Sequence, residues 1–367
     1  MRRASFPSVL ATTVALCLSL SAAAAAGVPS APSPAAWSSE RAAAGNIGAL
    51  STAIDDQGHV HIAASAATGL VYITDRSGAW ETKLILANGN HSGHEDWDVP
   101  SIALDETGHV WIAAARGCFE CAPGNTDGIW LITDQGHAPG TFGVPQKVAG
   151  TAATDPSLKV HAGHVYLAYG TMGTDGPGQI PVYFKTDASG PWTRVRIARD
   201  GYGPSLRVDS TGHARVAYAA LDGIRYARAT TLTGGFVVTV VPGSKGRTFG
   251  APSLALDTAE QPQVAWEAPS AVLYARATSG GWSAISKVGP WAPALSLSVD
   301  AGNVPHVAIG RRNVVHVWRT GGTWHTETVA LNADPYVGGV AVRATPTGLF
   351  IVYARTTDAR GVWVARS

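Results

Sequence analysis

Hydrophobic and polar residues alternate along most of the chain in short runs that end at turns rich in Gly, Pro and Ser. The most regular stretch is residues 251–288, in which four runs follow one another: PSLALD, QVAW, VLYARA and WSAISKV. A period of two is typical of β-strands, and no window shows a sustained helical period. The pattern predicts an all-β protein built from repeated four-stranded units, because one such unit cannot bury its own apolar face.

The first strand and turn of this unit recur seven times along the chain. The copies are ALSTAIDDQGHVHIAA, PSIALDETGHVWIAA, PSLKVHAGHVYLAY, PSLRVDSTGHARVAY, PSLALDTAEQPQVAW, PALSLSVDAGNVPHVAI and VGGVAVRATPTGLFIVY. Most copies lie about 40–50 residues apart, which is the period of a four-stranded propeller blade. The turn position is occupied by Asp55, Asp105, His161, Asp209, Asp257, Asp300 and Arg343. We expect the five aspartates to bond to turn amides.

Aromatic or imidazole side chains mark the outer strands of each copy. The third strands carry Tyr72, Trp130, Tyr183, Tyr226, Tyr274, His316 and Trp363. The fourth strands begin with Trp80, Phe142, Trp192, Phe236, Trp282 and Trp324, so the seventh copy lacks one. The run WSSERA at residues 37–42 resembles the fourth strand at Trp282. We predict a seven-bladed β-propeller with four antiparallel strands per blade, closed by an N-terminal strand that completes the last blade and removes exposed edges.

The segment before the repeats has the composition of a secretory signal peptide. Arg2 and Arg3 are followed by an apolar run at residues 9–20 and by small residues before Gly27. We predict a signal peptide at residues 1–26, a linker at 27–35, a propeller at 36–367, and a secreted, extracellular protein. The apolar run is too short for a membrane span.

Charge and cysteine content narrow the classes of partner. The chain has 27 Lys and Arg against 26 Asp and Glu, and the predicted signal peptide removes two arginines and no acid. A nearly neutral surface favours neither nucleic acid nor an anionic membrane. We also expect an extracellular ligand, no cofactor and a monomer. Cys118 and Cys121 remain after export, and an oxidising compartment favours a disulfide between them.

Two turns between third and fourth strands resemble the Asp-box (BNR) hairpin of sialidase-like propellers. They read TDRSGAW at residues 74–80 and TDASGPW at 186–192, with the spacing of Asp, Gly and Trp shifted by one residue from the Asp-box pattern. The resemblance covers the repeats from about Gly48 to the end of the chain. It implies a blade type of the sialidase superfamily. It implies no sialidase activity, because Asp-box turns are mainly structural.

Residues just before the first strands are expected at one mouth of the central channel. The aromatic members are Trp97, Tyr202, Phe249, Trp291 and Tyr336, and the polar candidates beside them are Asp98, Arg116 and Asp155. Aromatic rings could stack on sugars while Asp side chains bond to sugar hydroxyls. A hydrophobic plug that closes the channel is the alternative explanation of the same aromatic residues.

The densest polar segment is NGNHSGHEDWD at residues 88–98. Imidazoles act as acids or bases near neutral pH, so His91, His94 and Tyr202 are the candidates if the protein is an enzyme. His91 and His94 could also reach one metal ion, but a solvated polar loop is the simpler explanation, and we predict no metal site.

Two long loops, at residues 116–127 and 171–179, belong to blades adjacent to the 88–98 segment. Together the three segments would build one raised wall of a pocket, because loops carry the variable chemistry of such scaffolds. The sequence thus predicts a propeller that recognises an extracellular glycan. A polysaccharide lyase or glycosidase acting on the same face, and a protein-interaction scaffold, stay open as alternatives.

Overall fold

The computed structural model describes residues 37–88, 95–118, 128–150, 152–172, 180–246, 250–333, 335 and 339–367, with the backbone alone at 95–98 and 118. The chain divides into two units, Met1–Ala35 and Ala36–Ser367, and all described residues lie in the second. These residues form strands and turns without any α-helix. None of their segments is therefore a helix long and apolar enough to cross a membrane.

The strands form seven antiparallel sheets, or blades, which are numbered here in chain order and consist of four strands each. The first strands are β2 (Ile47–Ile54), β6 (Glu95–Leu104), β10 (Ala153–His161), β14 (Tyr202–Val208), β18 (Ser253–Leu256), β23 (Ala294–Val299) and β27 (Val340–Thr345). The second strands are β3 (Val60–Ala66), β7 (Val110–Cys118), β11 (His164–Thr171), β15 (Ala214–Ala220), β19 (Pro262–Ala268), β24 (Pro305–Gly310) and β28 (Gly348–Arg355).

The outer half of each blade consists of the third and fourth strands. The third strands are β4 (Gly69–Thr74), β8 (Gly128–Thr133), β12 (Val182–Thr186), β16 (Gly223–Thr231), β20 (Ala271–Thr278), β25 (Val314–Thr320) and β29 (Gly361–Arg366). The fourth strands are β5 (Glu81–Ala87), β9 (Gln146–Ala149), β13 (Thr193–Ala198), β17 (Gly234–Val240), the pair β21 (Gly281–Trp282) and β22 (Ser286–Pro290), β26 (Thr323–Ala330) and β1 (Ser38–Ala44).

The N-terminal strand completes the seventh blade, as the sequence predicts. β1 pairs antiparallel with β29, from Ser38 opposite Arg366 to Ala44 opposite Gly361. Trp37, directly before β1, packs edge-on against His316 of blade 6, with ring centroids 5.6 Å apart. The seven-bladed fold with its closing strand is therefore confirmed.

The first strands form an inner ring around a central channel. Each contacts the first strands of the two neighbouring blades, and β27 contacts β2, so the ring is closed. We call the edge of the ring where first strands begin the upper edge, and the opposite edge, where they end in turns, the lower edge. The pairing of Tyr202 with Ala219 shows that second strands end at the upper edge.

A serine side chain joins the first strands of neighbouring blades at six of the seven interfaces. Each serine hydroxyl accepts a hydrogen bond from a backbone N–H of the next first strand, at 2.9–3.2 Å. The acceptors are Ser51, Ser101, Ser157, Ser205, Ser253 and Ser296, and the donors are Ile102, Leu158, Leu206, Leu254, Leu297 and Val342. We call these the inter-blade serine bonds. They satisfy donors on the edge of each first strand that has no strand partner.

The seventh interface, between blades 7 and 1, is built differently. Ala341 occupies the position of the serine, so no hydroxyl is present there. Instead, the Nε atom of Arg343 donates a hydrogen bond to the carbonyl oxygen of Thr52, at 2.8 Å. An arginine thus replaces the serine bond at the interface between the last blade and the first.

Aromatic pairs connect the outer parts of neighbouring blades. In each pair, a third-strand ring packs edge-to-face on a ring at the start of the next fourth strand, with centroids 5.1–5.7 Å apart. The pairs are Tyr72–Phe142, Phe184–Phe236, Tyr226–Trp282, Tyr274–Trp324 and His316–Trp37. This geometry stabilises aromatic pairs by about 0.5–1.5 kcal/mol beyond the buried area.

Three of the third-strand aromatic residues predicted from the sequence, Trp130, Tyr183 and Trp363, are not equivalent to the others. Trp363 packs into the cluster between blades 6 and 7, whereas its neighbours Val362 and Val364 face blade 1. In blade 3 the ring that packs on the next blade belongs to Phe184, one residue after Tyr183. In blade 2 Leu131 faces the interface with blade 3, whereas Trp130 packs into the cluster between blades 1 and 2. A shift of one residue places a side chain on the opposite face of a strand.

Aspartates organise both sets of lower-edge turns. Asp55, Asp105, Asp209 and Asp257 each accept two backbone N–H bonds within their own first turn, as predicted. The Asp-box-like turns use their aspartates to bridge strands. Asp75, Asp134 and Asp187 each accept a 2.7 Å hydrogen bond from a backbone N–H near the start of the second strand.

Removing an inter-blade serine bond is expected to destabilise the ring. The changes Ser205→Ala and Ser253→Ala each leave a backbone N–H without its acceptor, at Leu254 and Leu297. We expect each to lower the free energy of unfolding by about 1–3 kcal/mol, measured by urea denaturation. The matched control is Ser210→Ala, because Ser210 is exposed in a turn. An unfolding midpoint of Ser253→Ala equal to that of the control would show that the bond adds no stability.

Candidate ligand site at the upper edge

Four residues predicted to bind a ligand are described with their side chains, and all lie at the upper edge. Tyr202 begins β14, Asp155 lies in the first half of β10, Arg116 lies near the end of β7, and Trp291 precedes β23. All four side chains are half-buried. The structure therefore places them on one edge of the ring, while their role in binding stays a prediction.

The other predicted site residues are described in part or lie outside the described residues. Trp97 and Asp98 lie in β6, where their backbones pair with Arg116 and Ala115. Cys118 is the last residue of β7. The predicted residues outside the described part of the chain are His91, His94, Cys121, Phe249 and Tyr336. The disulfide between Cys118 and Cys121 accordingly stays a prediction.

The upper-edge backbone has a positive φ at the same position in three adjacent blades, which strains the two residues that are not glycine. Val99, Asp155 and Gly203 have φ values of 43°, 51° and 57°, and each directly precedes a proline of the first strand. A residue before proline normally adopts an extended conformation, and positive φ is costly for a residue with a Cβ atom, most of all for a β-branched one. Strain of this kind concentrates at functional sites.

Each of these three residues lies within an irregularity of the first-strand pairing. The register shifts between Asp98 and Ser101 in blade 2, between Thr154 and Ser157 in blade 3, and between Tyr202 and Ser205 in blade 4. Bulges bend a strand and redirect the side chains beside them. The three bulges therefore bend the backbone where β6, β10 and β14 begin.

Among the described side chains of the upper edge, the carboxyl group of Glu267 has the most strongly raised pKa. It lies next to the end of β19, where only 7% of the residue is exposed. Burial raises the pKa of Glu267 to about 7, so the group changes its protonation near neutral pH. A carboxyl group with such a pKa is suited to general acid or base catalysis, and also to a neutral hydrogen-bond donor.

Tyr202 lies beside Glu267 at the interface of blades 4 and 5. Its ring packs on the apolar cluster that contains Trp266 and Ala268, the two neighbours of Glu267 in the chain. Burial, together with the negative charge of Glu267, raises the pKa of the Tyr202 hydroxyl. A phenol and a carboxyl group from two adjacent blades thus lie close enough to interact electrostatically.

Two glycines permit the close packing around this pair. A Cβ atom on Gly250 would lie 2.5 Å from Glu267 Oε2, and one on Gly203 would lie 2.4 Å from the Cβ atom of Ala251. Neither position therefore has room for a larger residue. The backbone that leads into blade 5 lies directly against the Glu267 carboxyl group and Gly203 of β14.

The upper edge of blade 6 carries an aromatic ring with a cation. The guanidinium carbon of Arg311 lies 6.0 Å from the centroid of the Trp291 ring. Arg311 follows β24 in the turn that leads to the third strand, so both residues belong to upper-edge connections. A half-buried indole with an adjacent guanidinium can stack on a ring and bond to its polar substituents.

No motif in the sequence identifies Glu267 as a candidate site residue. It occurs in the strand PQVAWEA, whose residues are otherwise apolar or small apart from Gln263, and all seven are buried. A carboxylate in a strand with so few polar residues is the signal that could have drawn attention to it, because acidic residues are rarely buried without a partner. Its proximity to Tyr202 depends on packing between two blades.

A second polar cluster crosses the sheet of blade 6, away from the upper edge. Asp300 bonds to His306 at 3.2 Å, His306 to His316 at 2.9 Å, and His316 to Glu327 at 2.9 Å. Burial lowers the pKa of His316 to about 4. The hydrogen bond to Glu327 acts in the opposite direction, and the positive charge of a protonated His306 lowers the pKa further. All four ring nitrogens of His306 and His316 are used within this chain of hydrogen bonds, which makes the cluster a structural element of the blade.

In the part of the chain that the structure describes, no three or more His, Cys, Asp or Glu side chains are grouped so that they could hold a metal ion. The His91 and His94 pair lies outside that part. The described upper edge therefore offers aromatic rings, carboxyl groups and a guanidinium group as its functional chemistry.

No protein-family model and no curated protein sequence matches the chain. Solved structures do match it. A catalytically inactive virginiamycin B lyase from Staphylococcus aureus with quinupristin has a TM-score of 0.59 and 12% identity, over 90% of this chain and 99% of the lyase.

Sialidases are also among the similar structures. The Hadza microbial sialidase Hz136 has a TM-score of 0.54 and 13% identity, over 88% of this chain and 65% of the sialidase. A mutant of Trypanosoma rangeli sialidase displaying trans-sialidase activity has a TM-score of 0.53 and 10% identity, over 88% of this chain. This chain spans about half the length of that sialidase, 54%. At such identities the likeness concerns the fold alone.

The raised pKa of Glu267 predicts a particular dependence of stability on pH. Its ordinary value is 4.5 and its folded-state value is about 7, so the folded state holds the proton more tightly than the unfolded state. The stability that this protonation contributes is fully present below pH 4.5 and is lost as the pH rises through about 7. We expect Glu267→Gln, which stays neutral, to remove this loss when unfolding is followed by urea denaturation from about pH 5 to about pH 8.

The matched control is Glu81→Gln, because Glu81 is exposed at the start of β5. This variant should keep the wild-type dependence on pH. A wild-type stability that falls no more steeply than that of Glu267→Gln over the same interval would contradict a buried carboxyl group with a raised pKa.

Proposed function

We propose that the protein is a secreted propeller that binds an extracellular glycan, and that the upper edge of blades 2–6 is its binding surface. The observation that carries this proposal is the series of bulges with positive φ at Val99, Asp155 and Gly203. They bend the start of the first strand in three adjacent blades, and those at Val99 and Asp155 persist although a positive φ costs stability in a residue with a Cβ atom. Secretion rests on the signal-peptide pattern in residues 1–26.

The chemistry of the upper edge supports a glycan rather than a purely apolar ligand. Tyr202 and Trp291 offer half-buried rings that can stack on the apolar face of a sugar. Asp155 and Glu267 can bond to hydroxyl groups, and Arg311 lies against the Trp291 ring. Recognition sites combine aromatic surfaces with a few directed polar groups in this way. The sialidases among the similar structures fit the same ligand class, as an analogy of fold.

Catalysis at the same edge is the second candidate function, and Glu267 favours it. A carboxyl group with a pKa near 7 beside a tyrosine supplies an acid or base and a phenol. Such a pair could act in a glycosidase or in a polysaccharide lyase. The candidate residues for catalysis are then Glu267 and Tyr202, with His91 and His94 as the earlier candidates outside the described residues.

The protein-interaction scaffold receives less support from the described residues. A docking surface needs contiguous exposed apolar area. The large hydrophobic side chains with the highest exposed fractions lie on separate elements of the described chain. They are Val144 before β9, Leu221 between β15 and β16, and Leu331 after β26.

Glycan binding is tested by screening the secreted protein against a panel of neutral and acidic polysaccharides. We expect at least one to bind, and Tyr202→Ala and Trp291→Ala each to weaken it about tenfold or more, because a central aromatic contact contributes about 2 kcal/mol. Affinity is measured by isothermal titration calorimetry. Tyr202→Phe should retain most of the binding, since it keeps the ring.

The control for this experiment is Trp318→Ala, which removes an indole near the end of β25 at the lower edge. It should bind the glycan as the wild type does. Failure of the folded protein to bind any member of the panel would contradict the proposed function. Equal losses in Trp318→Ala and Trp291→Ala would contradict the upper edge as the site.

Catalysis is tested on each polysaccharide that binds, by recording new reducing ends and new unsaturated ends in the ultraviolet. If the upper edge is catalytic, Glu267→Gln should lower kcat about 100-fold or more with little change in KM, and Glu81→Gln should not. The pH profile of kcat should change near pH 7, where the carboxyl group of Glu267 gains or loses its proton. Tight binding without either product would exclude the catalytic candidate and leave glycan binding in place.

A further inference from the structure

Three cationic side chains occupy equivalent positions on the inner ring of strands. Lys159 in β10 and Arg207 in β14 each follow the serine of an inter-blade bond by two residues. Arg343 in β27 follows Ala341, which occupies the serine position, by the same step. Residues two apart leave a strand on the same side. The three side chains therefore leave their strands at one level of the channel, toward the next blade.

The remaining blades carry small uncharged residues at this level. The equivalent positions are Ala53, Ala103, Ala255 and Ser298. Blades 3 and 4 are neighbours, and blade 7 lies across the ring from both. The long side chains of Lys159 and Arg207 thus extend from one side of the channel and that of Arg343 from the other, with only short side chains between them.

No carboxylate neutralises this group within the described part of the chain. None of the ion pairs between described residues includes Lys159, Arg207 or Arg343. Removal from water lowers the pKa of all three groups. The positive charges of Arg207 and Arg343 lower the pKa of Lys159 further, and that of Arg343 lowers the pKa of Arg207. The three cations are therefore close enough to repel one another.

The two arginines are held by the backbone rather than by acids. The Nη1 atom of Arg207 donates to the carbonyl oxygen of Leu206 at 2.8 Å. Arg343 donates from Nη1 to the carbonyl oxygen of Val342 and from Nε to that of Thr52, both at 2.8 Å. A guanidinium group has five N–H donors, so each arginine keeps several for another partner.

We propose that the channel at the level of Lys159, Arg207 and Arg343 binds a doubly charged tetrahedral oxyanion, sulfate or hydrogen phosphate. Confined cations without a counter-ion are costly, and an anion between them would offset that cost. Guanidinium groups match the oxygen geometry of such anions, and the lysine adds a third charge. Three positive charges from two sides of the channel favour a dianion over chloride.

This site differs from the proposed glycan surface. Arg207 is the second-last residue of β14, near the lower edge, whereas Tyr202 is the first residue of that strand, at the upper edge. The oxyanion site does not depend on glycan binding. The two proposals can therefore fail separately.

The test measures thermal unfolding and calorimetric binding as sodium chloride is replaced by sodium sulfate or sodium phosphate at constant ionic strength. Sulfate stabilises most proteins without binding to a site, so saturation is the decisive feature. We expect a saturable rise in the Tm of the wild type. Lys159→Met and Arg207→Gln should each weaken the binding about tenfold or more, as expected for the loss of one charge-assisted hydrogen bond.

Lys159→Met is also measured in sodium chloride without sulfate or phosphate. Its Tm there should be higher than that of the wild type, because one of three positive charges that repel one another has been removed. The controls are Lys287→Met and Arg199→Gln, which remove the same charges from exposed positions. They should bind sulfate as the wild type does. Arg343 is left unchanged because it also bonds to Thr52 where the ring closes.

Two results would overturn the proposal. One is a rise in Tm that does not saturate and is equal in the wild type, the channel variants and the controls. The other is calorimetric binding of sulfate and phosphate by Lys159→Met and Arg207→Gln that is as tight as in the wild type. The proposal is supported if Lys159→Met and Arg207→Gln lose the binding of sulfate or phosphate while Lys287→Met and Arg199→Gln retain it.

Discussion

The inner edge of each blade is the constraint on which the rest of the fold depends. The first strand of a blade pairs with one strand only, so its other edge carries backbone groups that need partners within the ring. Serine hydroxyls supply them at six interfaces, through bonds of 2.9–3.2 Å. A hydroxyl is short, so the bond forms only when neighbouring first strands lie close together. The spacing of the inner ring, and hence the width of the channel, follows from that length.

The fold was largely predictable because each blade repeats one pattern. The period of the turns gave the number of blades, and the surplus strand at residues 37–42 matched the missing strand of the last copy. The serines of the inter-blade bonds occur in the repeated sequences, four of the six directly after a proline, but nothing in the sequence shows that they bond to the next blade. The shifts of Trp130 and Tyr183 could not be read from composition, because a neighbouring apolar residue in either strand satisfies the same alternation.

The candidate sites were less predictable, because they depend on contacts between blades. Tyr202 was a candidate from its position before a first strand, but its partner Glu267 lies in the next blade and more than sixty residues away. The channel cations also lie far apart in the chain, with 48 residues from Lys159 to Arg207 and 136 from Arg207 to Arg343, and each replaces a small residue at an otherwise ordinary strand position. Their convergence is a property of the closed ring. The predicted histidine and cysteine chemistry of residues 91–94 and 118–121 stays untested.

The pairing of β1 with β29 has a mechanical consequence. Ser38 begins one strand and lies opposite Arg366, near the end of the other, so the two ends of the propeller unit leave the blade side by side. Backbone bonds in an antiparallel pair run perpendicular to the strands. Tension applied between these two ends loads the bonds one after another, as in a zipper, instead of all together in shear. The ring is thus held against thermal fluctuation by a whole strand, yet it opens under a pulling force that has to break only one pair of residues at a time.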